Sequence, residues 1–322
     1  MLTDILKDNK CFKLICGAGN EDVDEIEKLT ALYSQAGCSF FDICANEKVI
    51  DAAKKGLKRV GKENSAYLCI SVGVESDQHF CKAQIDEQNC IKCGQCKDLC
   101  LQQAIEISEN KSEVNTKKCI GCKKCVEICP QECISLVQKP TDLEELLPPL
   151  IAKGLDCIEL HVAGNDDEDY FNRWKQINEM FTGILSISIN RSVLGDEKLI
   201  DTVKQLLSIR KPYETIIQAD GIPMSGGKNS YKSTLQAVAT ADLFLGANLD
   251  AYVIASGGTN EKTTELAKLC EVPMNGVAIG SYARKIVKEY TSRNDFFENK
   301  EIFDKALEIA KNLVETSLKH LC

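Results

Sequence analysis

The chain has 322 residues, 44% of them hydrophobic, which is enough for one large domain or two smaller ones with a substantial core. Its formal net charge of −9 argues against a nucleic-acid-binding protein, because phosphate binding needs clustered lysine and arginine. No apolar run is long enough for a membrane span and segment 1–10 lacks a signal-peptide core, so we expect a cytosolic protein.

The first part of the chain alternates short apolar runs with longer amphipathic stretches. The apolar runs predict buried strands at Phe12–Cys16, Phe40–Cys44 and Tyr67–Val72. The amphipathic stretches predict helices at Glu21–Ala36 and Glu47–Val60.

Two cysteine runs stand where the next helix is expected. Both have C-x2-C-x2-C-x3-C spacing, which is typical of the thiolate ligands of 4Fe–4S clusters. In two-cluster ferredoxins the fourth cysteine of each run binds the other cluster. This rule assigns one cluster to Cys90, Cys93, Cys96 and Cys129. It assigns the other cluster to Cys119, Cys122, Cys125 and Cys100.

The residues around the two runs also repeat. Gln102 matches Gln131 and Ile105 matches Ile134, both at an offset of 29 positions, which indicates a duplicated half-ferredoxin. Structural zinc is the alternative, but zinc sites usually combine C-x2-C pairs with each other or with histidines and fit these runs poorly. We therefore predict a ferredoxin-like domain at 81–139, inserted between two parts of an α/β domain at 1–80 and 140–322.

After the insert the alternation resumes with a predicted helix at Leu143–Lys153. The strand–helix pairs that follow are Cys157–Val162 with Asp167–Phe181, Ile184–Ile189 with Asp196–Ile209, Thr215–Ala219 with Tyr231–Ala247, Ala251–Ala255 with Glu261–Leu269, and Val277–Ile279 with a helix from Tyr282. An extra helix is expected within 296–321. Eight strand–helix units predict a (β/α)8 TIM-type barrel with the ferredoxin inserted after the third strand; a doubly wound sheet is the alternative.

The turns after the seventh and eighth strands predict a ligand site. They are rich in glycine and lie where many barrels bind a phosphate group. The predicted cofactor-binding residues are Gly257, Gly258, Thr259, Gly280 and Ser281. Flavin mononucleotide (FMN) or another phosphorylated ligand would fit, whereas in the alternative interpretation these glycines only form tight turns and Ser281 caps a helix.

Polar residues at other strand ends are candidate catalytic residues. They are Asp42, His161, Arg191 and Asp220. His161 is a candidate acid/base or ligand, although a single histidine is often structural. The loop at 220–227 is either a ligand-facing segment or a surface loop. No motif of a serine hydrolase, a P-loop kinase or a zinc protease is present.

Several of these segments, in this order, resemble the light-dependent period modulator family (LdpA), iron–sulfur proteins first described in cyanobacteria. The resembling segments are Lys13–Ala18, Ala36–Asp42, the central ferredoxin, Ile217–Gly226, Ser256–Asn260 and Gly280–Lys285. The resemblance implies a cytosolic protein with two 4Fe–4S clusters that senses or relays redox state. In cyanobacteria the family adjusts the circadian clock to light, a role that depends on clock partners.

Two functions remain open at this point. One is an electron-transfer or redox-sensing protein that works with a redox partner protein. The other is an iron–sulfur oxidoreductase that binds a flavin or phosphorylated ligand at the barrel face, which an insertion after the third strand would bring close to the clusters. A scaffold with relic clusters is a third possibility, although all eight ligands are intact.

Overall fold

The computed structural model describes residues 1–74, 77, 80–138, 142–162, 167–190, 195–221 and 231–321. The strands are β1 (Cys11–Ile15), β2 (Phe40–Cys44), β3 (Tyr67–Gly73), β4 (Cys81–Ile85), β5 (Ile105–Ser108), β6 (Lys111–Val114), β7 (Ile134–Gln138), β8 (Cys157–Val162), β9 (Ile184–Asn190), β10 (Thr215–Asp220), β11 (Tyr252–Ser256) and β12 (Gly276–Ile279). The helices are α1 (Leu2–Lys7), α2 (Val23–Gln35), α3 (Glu47–Arg59), α4 (Gln95–Leu99), α5 (Lys124–Ile128), α6 (Leu143–Ile151), α7 (Asp167–Met180), α8 (Asp196–Leu207), α9 (Tyr231–Gly246), α10 (Thr263–Leu269), α11 (Ser281–Thr291) and α12 (Lys300–Lys319). In this part of the chain no helix combines the length and apolar character needed to cross a membrane.

Eight parallel strands close into a barrel. Their order around it is β1-β2-β3-β8-β9-β10-β11-β12, and β12 pairs again with β1. The predicted (β/α)8 barrel is therefore confirmed, and the alternative of an open doubly wound sheet is excluded. Because all strands run in one direction, their carboxyl ends and the turns that follow them meet at one face.

Side chains alternate along each strand between the surrounding helices and the barrel interior. Outward-facing residues such as Leu14, Ile43 and Ile158 are fully buried in the main core under the helices. At the amino end of the barrel the interior is apolar and includes Cys11, Phe40, Cys69, Cys157 and Ile216. Leu2 and Leu6 pack into this cluster from α1, a helix that the sequence analysis missed because the segment is short and mostly polar.

The insert leaves the barrel after β3 and returns before α6. Strand β4 pairs with β7 and β5 pairs with β6, both antiparallel. The short helices α4 and α5 each lie within one cysteine run, and a small apolar core that includes Ala83, Ala104, Ile105 and Ile134 holds the two halves together. The insertion point after the third strand agrees with the prediction.

Candidate functional site: two cysteine cavities and the barrel mouth

The eight predicted ligand cysteines line two cavities in the insert. One cavity is bordered by Cys90, Cys93, Cys96 and Cys129. The other is bordered by Cys100, Cys119, Cys122 and Cys125. Each cavity thus takes three cysteines from one half of the insert and the fourth from the other half. The same crossed arrangement follows from the cysteine spacing of two-cluster ferredoxins.

The backbone of the two halves repeats together with the sequence. Left-handed residues occur in pairs 29 positions apart, namely Lys92 with Gly121, Gly94 with Lys123 and Gln103 with Glu132. Backbone N–H groups also point at the thiols: Ala104 donates to Sγ of Cys100 and Ala83 donates to Sγ of Cys119, each at 3.3 Å. Hydrogen bonds of this kind tune the reduction potential of an iron–sulfur cluster.

A ninth cysteine borders the first cavity and lies outside both sequence motifs. Sγ of Cys133 lies 3.5 Å from Sγ of Cys129, and Cys133 lines the same cavity. The equivalent position in the other half is Ala104. This cavity therefore offers five thiols where a 4Fe–4S cluster needs four.

A separate cavity of about 250 Å³ lies at the carboxyl ends of the barrel strands. It is lined by the predicted cofactor-binding residues Gly257, Gly258, Thr259, Gly280 and Ser281. It is also lined by the candidate catalytic residues Asp42, His161 and Asp220. The structure thus brings together every predicted barrel-site residue that it describes. Arg191 and the loop at 222–227 lie outside the described residues.

The insert forms one wall of this barrel cavity. The wall residues are Ile120, Gly121 and Cys122, from the second cysteine turn. Lys82 holds the insert against the barrel, since its Nζ donates to the carbonyl oxygens of Gly19 at 2.5 Å and Cys119 at 2.8 Å. Cys122, one of the predicted cluster ligands, therefore lines the barrel cavity.

A buried lysine occupies the interior of the barrel beside the cavity. Nζ of Lys13 lies 3.1 Å from Oδ2 of Asp42 and 2.5 Å from Oε2 of Glu159, and all three side chains are at most 1% exposed. Burial alone would lower the pKa of Lys13, but the carboxylates outweigh it and hold this pKa well above its usual value. Burial raises the pKa of Asp42 to about 6, although Lys13 opposes the shift. Because its own pKa lies well above the usual value, Lys13 remains positively charged.

His161 connects this ion pair to the cavity. Its Nε2 lies 3.1 Å from Oε1 of Glu159, and its Nδ1 lies 3.1 Å from Oδ2 of Asp77. Burial would lower the pKa of His161, but hydrogen bonds to Asp77 and Glu159 hold it well above its usual value. The ring is thus kept as an imidazolium near neutral pH, with both of its N–H groups directed at carboxylates.

Asp220 lies in the same cavity at the end of β10. The hydroxyl of Ser188 donates to its Oδ2 at 2.5 Å. Burial raises the pKa of Asp220 above its usual value, although this hydrogen bond opposes the shift. The cavity thus combines a protonated imidazole with a carboxyl group whose protonated form burial favours.

Turns that contain glycine also line the cavity. Gly17 and Gly258 have φ values of 108° and 93°, in the left-handed region that favours glycine. Gly280 directly precedes α11, which begins at Ser281, one residue before the predicted start at Tyr282. The hydroxyl of Thr259 donates to the carbonyl of Ala278 at 2.5 Å, so this predicted ligand residue connects its turn to strand β12.

Sequence reasoning gave no site role to three charged residues. Lys13 and Glu159 interrupt apolar strands at inward positions, and this is a signal that could have identified them, because buried charges are usually paired. Arg284, in the first turn of α11, lines the cavity beside Gly17. No sequence signal places Arg284 there, since 267 positions separate the two residues.

Comparison with known protein families gives two matches along the chain. A family model described as the light dependent period A C-terminal domain matches residues 150–316. A model of a 4Fe-4S dicluster domain matches residues 83–136. The protein named light dependent period A from Synechococcus elongatus is 30% identical over 294 residues, which are 86% of this chain and 81% of that protein.

Solved structures with a similar shape are distant in sequence. A truncated 3-deoxy-D-arabino-heptulosonate 7-phosphate synthase from Thermotoga maritima has a TM-score of 0.47 and 12% identity, over 95% of this chain and 85% of that chain. An archaeal fructose 1,6-bisphosphate aldolase has a TM-score of 0.44 and 12% identity, over 99% of this chain and all of the other.

Proposed function

The chain belongs to the light dependent period A family and carries a 4Fe-4S dicluster domain, and on this basis we propose that it is an electron-transfer protein with two 4Fe–4S clusters. When bound, such a cluster accepts and releases single electrons. The proposed ligands are the two crossed sets of cysteines that line the two cavities of the insert. The protein would exchange these electrons with a ligand in the barrel cavity.

One observation carries the proposal: Cys122 lines both the second cysteine cavity and the barrel cavity. A ligand at the barrel mouth would therefore lie against one of the cysteines that we assign to a cluster. The imidazolium of His161, whose two ring N–H groups face Asp77 and Glu159, adds a positive charge to the wall of the same cavity and so favours a ligand that gains negative charge on reduction. A proposed cluster ligand and a positive charge thus lie at the same cavity.

The first cysteine cavity lies at the surface and favours contact with an electron-carrier protein. Cys93 is exposed, and the neighbouring side chain of Ile91 is 60% exposed. A single large apolar side chain beside an exposed cluster ligand suits a transient redox complex. We propose that a cytosolic electron carrier docks there and supplies or removes the electrons.

A redox titration tests this function. Protein purified without oxygen would be titrated electrochemically and followed by electron paramagnetic resonance, with and without inorganic phosphate. Two one-electron transitions are expected. Phosphate should move only one of them, to lower potential, because an anion beside the second cysteine cavity disfavours the added negative charge. Phosphate that binds the protein and moves neither transition would overturn electron exchange with the cavity.

A further inference from the structure

We infer that the barrel cavity binds a small phosphate ester whose phosphate group is held by Arg284, and that it does not hold a flavin. The inference concerns the same cavity as the proposed function and identifies the chemical class of its ligand. It rests on the proposed function only for what the bound ligand does. Three observations support it: a buried guanidinium with two unsatisfied nitrogen atoms, the polarity of the surrounding backbone and the volume of the cavity.

Arg284 is buried with unused hydrogen-bond donors. The residue is only 6% exposed, yet its Nε and Nη1 atoms have no hydrogen-bond partner in the described part of the chain. A guanidinium stays charged at all ordinary pH values, so each of these free N–H donors can form a charge-assisted hydrogen bond to an oxyanion. Leaving such donors without partners is costly, so an oxyanion is the expected occupant.

Glu25, the buried carboxylate whose charge interacts with that of Arg284, already has other hydrogen-bond partners. Glu25 accepts a hydrogen bond from Asn20 at 2.8 Å and another from Lys288 at 3.0 Å. Burial would raise the pKa of Glu25, but Arg284 and Lys288 outweigh it and keep this pKa below its usual value. Glu25 is therefore ionised and satisfied, while the guanidinium keeps free donors at the cavity.

The backbone around Arg284 favours the same charge. Helix α11 has 11 residues and begins at Ser281, so its unpaired N–H groups and the positive end of its dipole are at the cavity. At the turns of Gly17 and Gly258 the backbone borders the cavity directly, because glycine has no side chain. Three sources of N–H groups and one guanidinium suit a phosphate dianion better than a single carboxylate.

The volume of the cavity limits the rest of the ligand. At about 250 Å³ the cavity is smaller than the roughly 300–1,000 Å³ of pockets that enclose drug-sized molecules. A phosphate ester of a few carbon atoms fits this space more closely than FMN, with its three-ring flavin and ribityl chain. The remainder of such a ligand would face His161 and Asp220, which line the same cavity.

The test measures phosphate binding to the anaerobic holoprotein by isothermal titration calorimetry. Arg284→Gln should weaken the binding of inorganic phosphate by about 10- to 100-fold, as expected for loss of a charge-assisted hydrogen bond. The matched control Lys285→Gln removes the same charge from the next, exposed residue and should change binding less than about 2-fold. Iron content shows whether each variant retains its clusters.

Two further measurements keep the inference testable if Arg284→Gln fails to fold. Ser281→Ala, a mild change at the start of α11, should weaken phosphate binding a few-fold. Glycerol 3-phosphate should compete with inorganic phosphate in the wild-type protein, and FMN should not. Displacement by FMN, or unchanged phosphate binding in both Arg284→Gln and Ser281→Ala, would overturn the inference.

Phosphorus NMR separates this inference from the proposed function. After electrochemical reduction, paramagnetic clusters should broaden the ³¹P signal of bound phosphate if it lies beside Cys122. Binding that depends on Arg284 but shows no such broadening would support the ligand assignment and contradict electron exchange. Broadening that persists in Arg284→Gln at full phosphate occupancy would contradict the role of Arg284 alone.

Discussion

Nζ of Lys13 and Oε2 of Glu159 lie 2.5 Å apart inside the barrel, although 146 positions of sequence separate the two residues. Removing one partner of such a buried pair leaves an uncompensated charge in an environment of low polarity. Glu159 also contacts His161, so the same carboxylate fixes the lysine and orients the imidazole that faces the cavity. Stability and site chemistry therefore depend on the same side chain.

Glu159→Gln should lower the free energy of unfolding by about 1.5–3 kcal/mol, because the ammonium of Lys13 loses one of its two carboxylate partners and keeps only Asp42. Chemical denaturation without oxygen can be followed by the fluorescence of Trp174, the only tryptophan, which is fully buried. Glu308→Gln, on the exposed face of α12, is the control and should change stability by less than about 0.5 kcal/mol. Equal stability of the two variants would contradict the importance of the pair.

His161 should titrate well above the ordinary histidine pKa of about 6.5. Since Asp77 and Glu159 raise the pKa in the folded state, the stabilisation from His161 is complete below about pH 6.5 and is lost as pH rises through the folded pKa. Histidine NMR signals can test this, because the chain has three histidines and His161→Gln identifies the signal. A titration midpoint at or below 6.5 would be inconsistent with the two carboxylate contacts.

Lys82→Met should loosen the insert without unfolding the barrel. The change removes hydrogen bonds to Gly19 and Cys119 and an ion pair with Glu21 at 3.3 Å. Amide hydrogen exchange in residues 117–122 should become faster, while iron content stays unchanged, since Lys82 is not a proposed ligand. Lys97→Met, at an exposed position of the insert, is the control. Unchanged exchange in Lys82→Met would show that other contacts position the insert.

Cys96→Ser should remove about half of the bound iron, because it takes one ligand from one of the two proposed 4Fe–4S clusters. Cys81→Ser is the matched control, since Cys81 lies in the insert but borders neither cysteine cavity. Iron and sulfide analysis of anaerobic protein gives the result. Full iron retention in Cys96→Ser would contradict the ligand assignment.

The fourth thiol of the first cavity can be tested separately. With Cys129 as ligand, Cys133→Ser should retain its iron and Cys129→Ser should lose it, despite the 3.5 Å separation of the two sulfur atoms. The opposite result would show that Cys133 is the ligand and that the regular spacing of the second run is misleading at its last position.

The grouping of the cysteines and the positions of the strands could be predicted from the sequence, because both arise from local constraints. A tight turn fixes which thiols of one run approach a common centre, as at Cys90, Cys93 and Cys96. A buried parallel strand needs apolar residues on both faces, so runs such as Cys157–Val162 were identified with the correct ends. The terminal helix α1 lacks such a pattern and was missed.

By itself, the sequence determined the spacing of the two cysteine runs and the number of strand–helix units. These two features predict the barrel with its insert. Only the tertiary structure decided that Lys13 meets Asp42 and Glu159 and that Cys122 borders the barrel cavity. It also decided that Arg284 lies beside Gly17 with two nitrogen atoms that have no hydrogen-bond partner among the described residues. Barrel closure brings side chains from distant strands into one interior, and their pairing depends on strand register and side-chain direction. Neither is encoded in any short stretch of sequence.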